Sequence, residues 1–287
     1  MKSLMRSGIG RSLACACCVA TAGFLGAPAD AAIVLVSKGT IASGTDTSGV
    51  FGAGGADLTG QTYKLMVTYD DFSTAYHASS ATFEKESGPI TGNLSVTVNG
   101  TAFSRNVTQS FGAFLYVNNN GAFSELTGFQ TGDDATGQAL YAAHDLSSTS
   151  GTVTGPSIDM TGGYTAAAGD IGDMRFSTSG AAGTAAFTGN PSAVWLVFPP
   201  PQLIAGLSSY VQGLALSHGI QTSFLAKLNT AQSDLAGGNV SGATASVNDF
   251  INESKAQSGK ALTSAQASQM IMQAQSILFS IGVIYSA

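Results

Sequence analysis

The chain predicts an all-β sandwich, antiparallel and jelly-roll-like, followed by a small all-α four-helix domain. Three observations carry that reading. Short apolar-alternating runs separated by glycine-rich turns fill residues 32–198, four stripes of helical period fill 203–287, and Pro199-Pro200-Pro201 stands between them. Three prolines hold the chain extended and remove amide donors, so they suit neither a central strand nor a helix interior. Residues 199–202 are read as a Pro-rich linker, with Pro201 suited to the entry of a first helix.

Within the first region, QTYKLMVTYDD (61–71) alternates and is rich in β-branched and aromatic residues. NLSVTV (93–98) meets TAFSRNV (101–107) across Asn99-Gly100, a strong hairpin signal. Pairing Val98 with Thr101 sets Val96 opposite Phe103 and puts Leu94, Val96 and Val98 on one face. A second hairpin is expected at Asn119-Asn120-Gly121, between AFLYV (113–117) and AFSEL (122–126). ALYAAHDL (139–146), DMRFSTS (173–179) and AVWLVF (193–198) are further strands. Many short strands divided by turns point to a sandwich or barrel.

The second region changes period. Leu203, Leu207, Tyr210, Val211 and Leu214 form one helical stripe, and Ile220, Phe224, Leu228, Ala231 and Leu235 a second. Val240, Ala243, Val247, Phe250 and Ile251 form the third, and Ala267, Met270, Ile271, Ala274, Ile277, Leu278 and Ile281 the fourth. Gly237-Gly238 and Ser258-Gly259 supply stops, and Thr263 with Gln266 a capping box. Short loops make neighbouring helices antiparallel. Gln269, Gln273 and Gln275 on the other faces of the last stripe argue against a membrane-spanning tail.

The first 31 residues carry a different message. Lys2, Arg6 and Arg11 precede an uncharged apolar run, Ser12–Gly26, and then the small residues Ala27-Pro28-Ala29-Asp30-Ala31. That order predicts a signal peptide over 1–31, cleaved after Ala29 or Ala31. The run is shorter than the ~20 residues a bilayer span needs. Cys15, Cys17 and Cys18 all lie within it, and none has the aliphatic residue three positions earlier that lipidation requires. A mature chain without cysteine has no disulfide, zinc-thiolate site or thiol nucleophile. The expected destination is secreted or periplasmic, with any attachment to the cell surface noncovalent.

Charge narrows the partners. Only 10% of residues are charged, against ~25% in ordinary soluble domains. Loss of the three basic residues of the signal leaves eight basic against 17 acidic residues if Asp30 is kept. A balance this acidic repels a phosphate backbone, so nucleic-acid binding is not expected.

Two resemblances can be placed on particular residues. The stretch 39–70, with Gly39-Thr40, Gly44-Thr45-Asp46, Val50-Phe51-Gly52, Asp57-Leu58-x-Gly60-Gln61 and an aromatic strand ending at Asp70, resembles the opening of exported β-domain proteins of the PEP-CTERM-associated type. The sorting tag is absent, without its Pro-Glu-Pro motif or basic tail. The tail resembles the helical FIMAH module of secreted bacterial proteins, through Gly219-Ile220, Ser223, Leu225, Lys227-Leu228, Phe250-Ile251-Asn252 and 256–267. Neither resemblance implies a defined catalytic mechanism, and the second implies a helical module that is an accessory to the domain before it.

Chemistry-bearing residues are sparse. The histidines are His77, His144 and His218, and no Gly-x-Ser-x-Gly elbow stands between a strand and a helix. Glycoside hydrolysis needs two facing acids; Glu84 and Glu86 share a face if 82–87 is a strand, although Ser87-Gly88-Pro89 after them favours a solvated loop. Oxygen ligands for calcium could come from Asp46, Asp70-Asp71 or, best, Asp133 and Asp134 in TGDDATG, although each also suits an Asx-turn. Trp195 sits in an apolar run and reads as core, whereas Tyr69, Tyr76, Tyr116 and Tyr141 suit exposed stacking. The set as a whole points to an exported non-catalytic protein that binds an extracellular glycan, polymer or surface partner. The alternatives are a secreted hydrolase with dispersed acidic residues and a structural component of a surface layer or matrix.

Overall fold

A computed structural model describes residues 32–70, 75–155, 157–158 and 162–286. The expected signal peptide, its cysteines and Asp71 lie outside the described residues. The described chain is a thirteen-stranded antiparallel sheet followed by four helices.

The strands are β1 (Ile33–Asp46), β2 (Ala56–Asp57), β3 (Thr62–Tyr69), β4 (Tyr76–Ser79), β5 (Phe83–Gly88), β6 (Gly92–Val98) and β7 (Thr101–Val107). They continue as β8 (Gln109–Asn119), β9 (Ser124–Asp133), β10 (Ala139–Ser148), β11 (Gly162–Thr165), β12 (Ile171–Ser179) and β13 (Ala185–Val197). Hydrogen bonding runs as one path, β4-β5-β8-β9-β10-β12-β13-β1-β3-β6-β7, with β2 on β1 and β11 on β13. The β6–β7 hairpin has the expected register, Val98 opposite Thr101 and Val96 opposite Phe103. Its turn is built by positive φ at Asn99 (51°) and Gly100 (86°), the combination of a type I′ turn.

The sheet coils until its two halves meet on one inner face. Tyr69 of β3 donates its hydroxyl to the Phe129 carbonyl of β9 at 3.4 Å, although the two strands stand five places apart on the path. Phe103 of β7 meets Phe176 of β12 at 5.9 Å between ring centroids, and Phe51 and Phe187 complete that aromatic cluster. Leu35, Leu65, Leu94, Val96, Leu115 and Leu126 fill the rest of one continuous core. Gly128 lies where the halves approach: a Cβ there would stand 2.5 Å from Leu35 Cδ1 and 2.9 Å from the Tyr69 hydroxyl. Gly128→Val should therefore overpack the core and cost about 1–3 kcal/mol, read as a lower denaturant midpoint with the slope unchanged.

The helices are α1 (Pro200–Gly213), α2 (His218–Ala236), α3 (Val240–Gln257) and α4 (Ser264–Tyr285). Buried residues follow the stripes, with Phe224, Leu228, Val247, Phe250, Met270 and Ile277 in a second core. The Thr263–Gln266 capping box forms in both directions, and Gly238 and Gly259 take positive φ after α2 and α3. Lys227 of α2 reaches Glu253 of α3 at 2.7 Å, and Ser223 donates to the same carboxylate.

α1 begins inside the proline segment, with Pro199 at its N-cap and Pro200 buried. The helices are also fastened to the sheet at the far end of α4. Val283 packs on Val34, Val36 and Val197, with Trp195 and Met66 alongside. Ser280 donates to the Phe198 carbonyl at 2.6 Å. The Lys64 ammonium donates to the carbonyls of Ile284 (2.7 Å) and Ser286 (2.5 Å), the position where a cation complements a helix C-terminus. Burial, with Lys38 nearby, lowers the Lys64 ammonium to about 8. α4 is long and apolar enough to cross a membrane by length and composition; here it buries its stripe against the other helices and its end against the sheet.

Candidate functional site

Alternation along β5, β8, β9, β10 and β12 sends one set of side chains to the core and the other outward. The outward set is unusually aromatic. Phe114 of β8, Phe129 of β9 and Tyr141 of β10 form a ladder with centroids 5.7 and 5.8 Å apart. Phe83 of β5 and Tyr116 of β8 add a second pair at 6.0 Å, and the Lys85 ammonium sits 5.5 Å from the Phe114 centroid. All five rings are only partly buried. Aromatic–aromatic pairs are a source of cross-strand stabilisation, so the ladder supports the sheet as well as covering it.

Carboxylates and hydroxyls flank these rings. Thr127 of β9 faces Tyr116 on one side and Asp145 on the other, and its hydroxyl lies 3.0 Å from Glu125 Oε1 and 3.1 Å from Asp145 Oδ1. Burial raises the pKa of both carboxyls, and each is raised further by a neighbouring acid, Asp145 beside Glu125 and Asp173 beside Asp145. Beyond Tyr141 the surface dips into an open depression of about 280 Å³ lined by Phe111, Asp133, Tyr141 and Ser177 among others. Phe111 at its rim is 62% exposed.

The residues singled out from the sequence fall in several places. Tyr116 and Tyr141 belong to the aromatic face, and Tyr76 is exposed on β4. Tyr69 is not a stacking residue. It is fully buried, which raises its hydroxyl pKa, because its strand register points it into the core. Trp195 is partly buried between Gly163 of β11 and the end of α4. Successive residues on a strand face opposite ways, so His144 enters the core while Asp145 joins the outer face. His218 is the first residue of α2 and is exposed.

Asp134 caps its turn. Its Oδ1 accepts from the Thr136 amide (2.7 Å), the Thr136 hydroxyl (2.6 Å) and the Gln138 amide (3.0 Å), while Arg105 lies 3.4 Å from Oδ2. These contacts, the Thr136 hydroxyl foremost, hold Asp134 below the usual carboxylate range. Asp133, at the end of β9, borders the depression instead. Asp46 is buried, and both its oxygens accept backbone amides, from Val50 and Phe51, at 2.7 Å each.

Glu84 and Glu86 lie on one face of β5, as alternation requires, and it is the inner face, opposite Val117 and Leu115 of β8. His77 of β4 pairs with Glu86 across the hairpin. Its Nδ1 lies 2.5 Å from Glu86 Oε1 and 3.8 Å from Glu84 Oε1, and its Nε2 lies 3.1 Å from the Ser79 hydroxyl. Glu84 Oε2 accepts from the Ser157 hydroxyl (2.6 Å) and the Ile158 amide (2.8 Å). The signal that could have drawn His77 into this group was the period-two run Tyr76–Ser79, which places His77 and Ser79 on one face. The phenylalanines of the ladder carried a cue in the same alternation, but phenylalanine in a strand is most often core.

Comparison with family models, with curated proteins and with solved structures found no match to this chain.

Proposed function

We propose that this chain is an exported, non-catalytic protein whose β-domain binds an extracellular glycan or similar polymer on the outer face of β5, β8, β9 and β10. The ladder Phe114–Phe129–Tyr141 is the observation that carries the reading. Sugar rings present C–H faces that lie against aromatic rings, and their hydroxyls seek carboxylates and hydroxyls such as Glu125, Thr127 and Asp145. A chain with only 10% charged residues suits a neutral, hydroxyl-rich partner better than an ionic one. The coiled sheet is read as a sandwich of the kind found in PEP-CTERM-associated proteins, and the four helices as a FIMAH-like accessory module.

A glycan array probed with the full mature chain tests this directly. Binding to at least one neutral polysaccharide is expected, and Phe129→Ala should weaken it at least tenfold while the far-ultraviolet circular dichroism stays unchanged. Full binding by both Phe129→Ala and Tyr141→Ala would remove the aromatic face from the account.

A further inference from the structure

We propose that the inner face of the β4–β5 hairpin is a binding site for a divalent transition-metal ion of the zinc class, with His77, Glu84 and Glu86 as protein ligands. The His77 ring nitrogen and one oxygen from each carboxylate all lie within 4.8 Å of one another. The three side chains come from two hydrogen-bonded strands, and the His77–Glu86 pairing is fixed by backbone register.

The two carboxylates converge on one imidazole. The Glu84 and Glu86 side chains are only 16% and 15% exposed, and His77 is their sole ionic partner among the described residues. Lys85, the basic residue between them, points to the opposite face and lies over Phe114. Two carboxylate oxygens and one imidazole nitrogen thus converge from paired strands as a compact set of three ligand atoms, the donor types a divalent transition metal takes.

The surroundings orient the donors. The Ser79 hydroxyl beside Nε2 can accept a hydrogen bond from that nitrogen once Nδ1 gives up its own proton to bind the ion. Ser157 and the Ile158 amide hold the far oxygen of Glu84, which turns the near oxygen toward the ring. Such outer partners are what fix a metal ligand's tautomer and direction. One imidazole with two carboxylates suits zinc or its first-row neighbours, whereas calcium takes six to eight oxygens. Three protein ligands leave a position open, and His77, half exposed, keeps that position in reach of solvent.

Isothermal titration of the chelator-treated full chain with Zn²⁺ tests the site. One equivalent should bind and raise the thermal midpoint, with no comparable response to Ca²⁺. His77→Ala should weaken uptake at least about 100-fold, and Ser157→Ala, which removes the hydroxyl held by Glu84 Oε2, about tenfold. Glu86→Gln serves as a variant that keeps an oxygen acceptor for His77 and so preserves the hairpin, and it too should lose zinc. Absence of stoichiometric uptake, a preference for Ca²⁺, or equal uptake by His77→Ala and Glu86→Gln would overturn the proposal.

Discussion

Lowering the pH from 6.5 to 3 should remove up to about 5 kcal/mol of folding stability through His144 alone. The side chain is fully buried on β10, and neither ring nitrogen has a hydrogen-bond partner among the described residues. Burial lowers its pKa to about 3 from the ordinary 6.5. The folded state thus resists the proton that the unfolded chain accepts. Stability is fully present above pH 6.5, declines as the pH falls below it, and levels off near 3. Denaturant unfolding at half-unit steps of pH should show this slope, and His144→Leu should flatten it. The same substitution removes two unsatisfied polar atoms, so the variant should also gain about 1–3 kcal/mol at neutral pH. An unchanged acid slope in His144→Leu would show that other groups set it.

Asp46→Ala should cost about 3–5 kcal/mol. Two short bonds from the amides of Val50 and Phe51 converge on this buried carboxylate, and bonds to a charged acceptor are each worth about 1.5–3 kcal/mol. The loss spreads beyond the turn. Phe51 sits edge-on to Phe103, Phe176 and Phe187, so freeing its backbone loosens the ring that ties β7 to β12 and β13. Asp46→Asn, which keeps one oxygen acceptor, should lose clearly less. Urea midpoints of the two variants measure the difference. Equal losses would mean that both carboxylate oxygens are needed and that one amide oxygen rescues nothing.

The strands and helices were legible where period and punctuation agreed. Asn99-Gly100 fixed both a turn and a register, and Thr263 with Gln266 marked a helix start, because each depends on atoms a few residues apart. Only 193–198 is legible as a strand in β13, because the part before it, AAFTGNPS, has a proline and mostly small residues in place of an apolar run. The structure accommodates Pro191 where the register against β1 shifts between Lys38 and Gly39, an irregularity of the kind that tolerates proline in a sheet. The site was less legible. Alternation places Glu84 and Glu86 together, but which face points inward depends on β8, and the segment that reaches Glu84 lies some 70 residues further along. Tyr69 and Tyr141 look alike in sequence, and only the coiling of the sheet separates a core residue from a surface one.

β1 holds the centre of the sheet, between β3 and β13. Its partner in β13 ends at Val197, more than 150 residues after β1 begins. A chain delivered N-terminus first therefore presents this strand, with its apolar opening Ile33–Val36, long before the segment that completes its pairing exists. Closing so distant a contact is slow, and an unpaired strand edge in the interval invites aggregation. The kinetic weak point of this protein is thus its first strand, and whatever handles the chain before it folds must keep Ile33–Val36 from finding other partners.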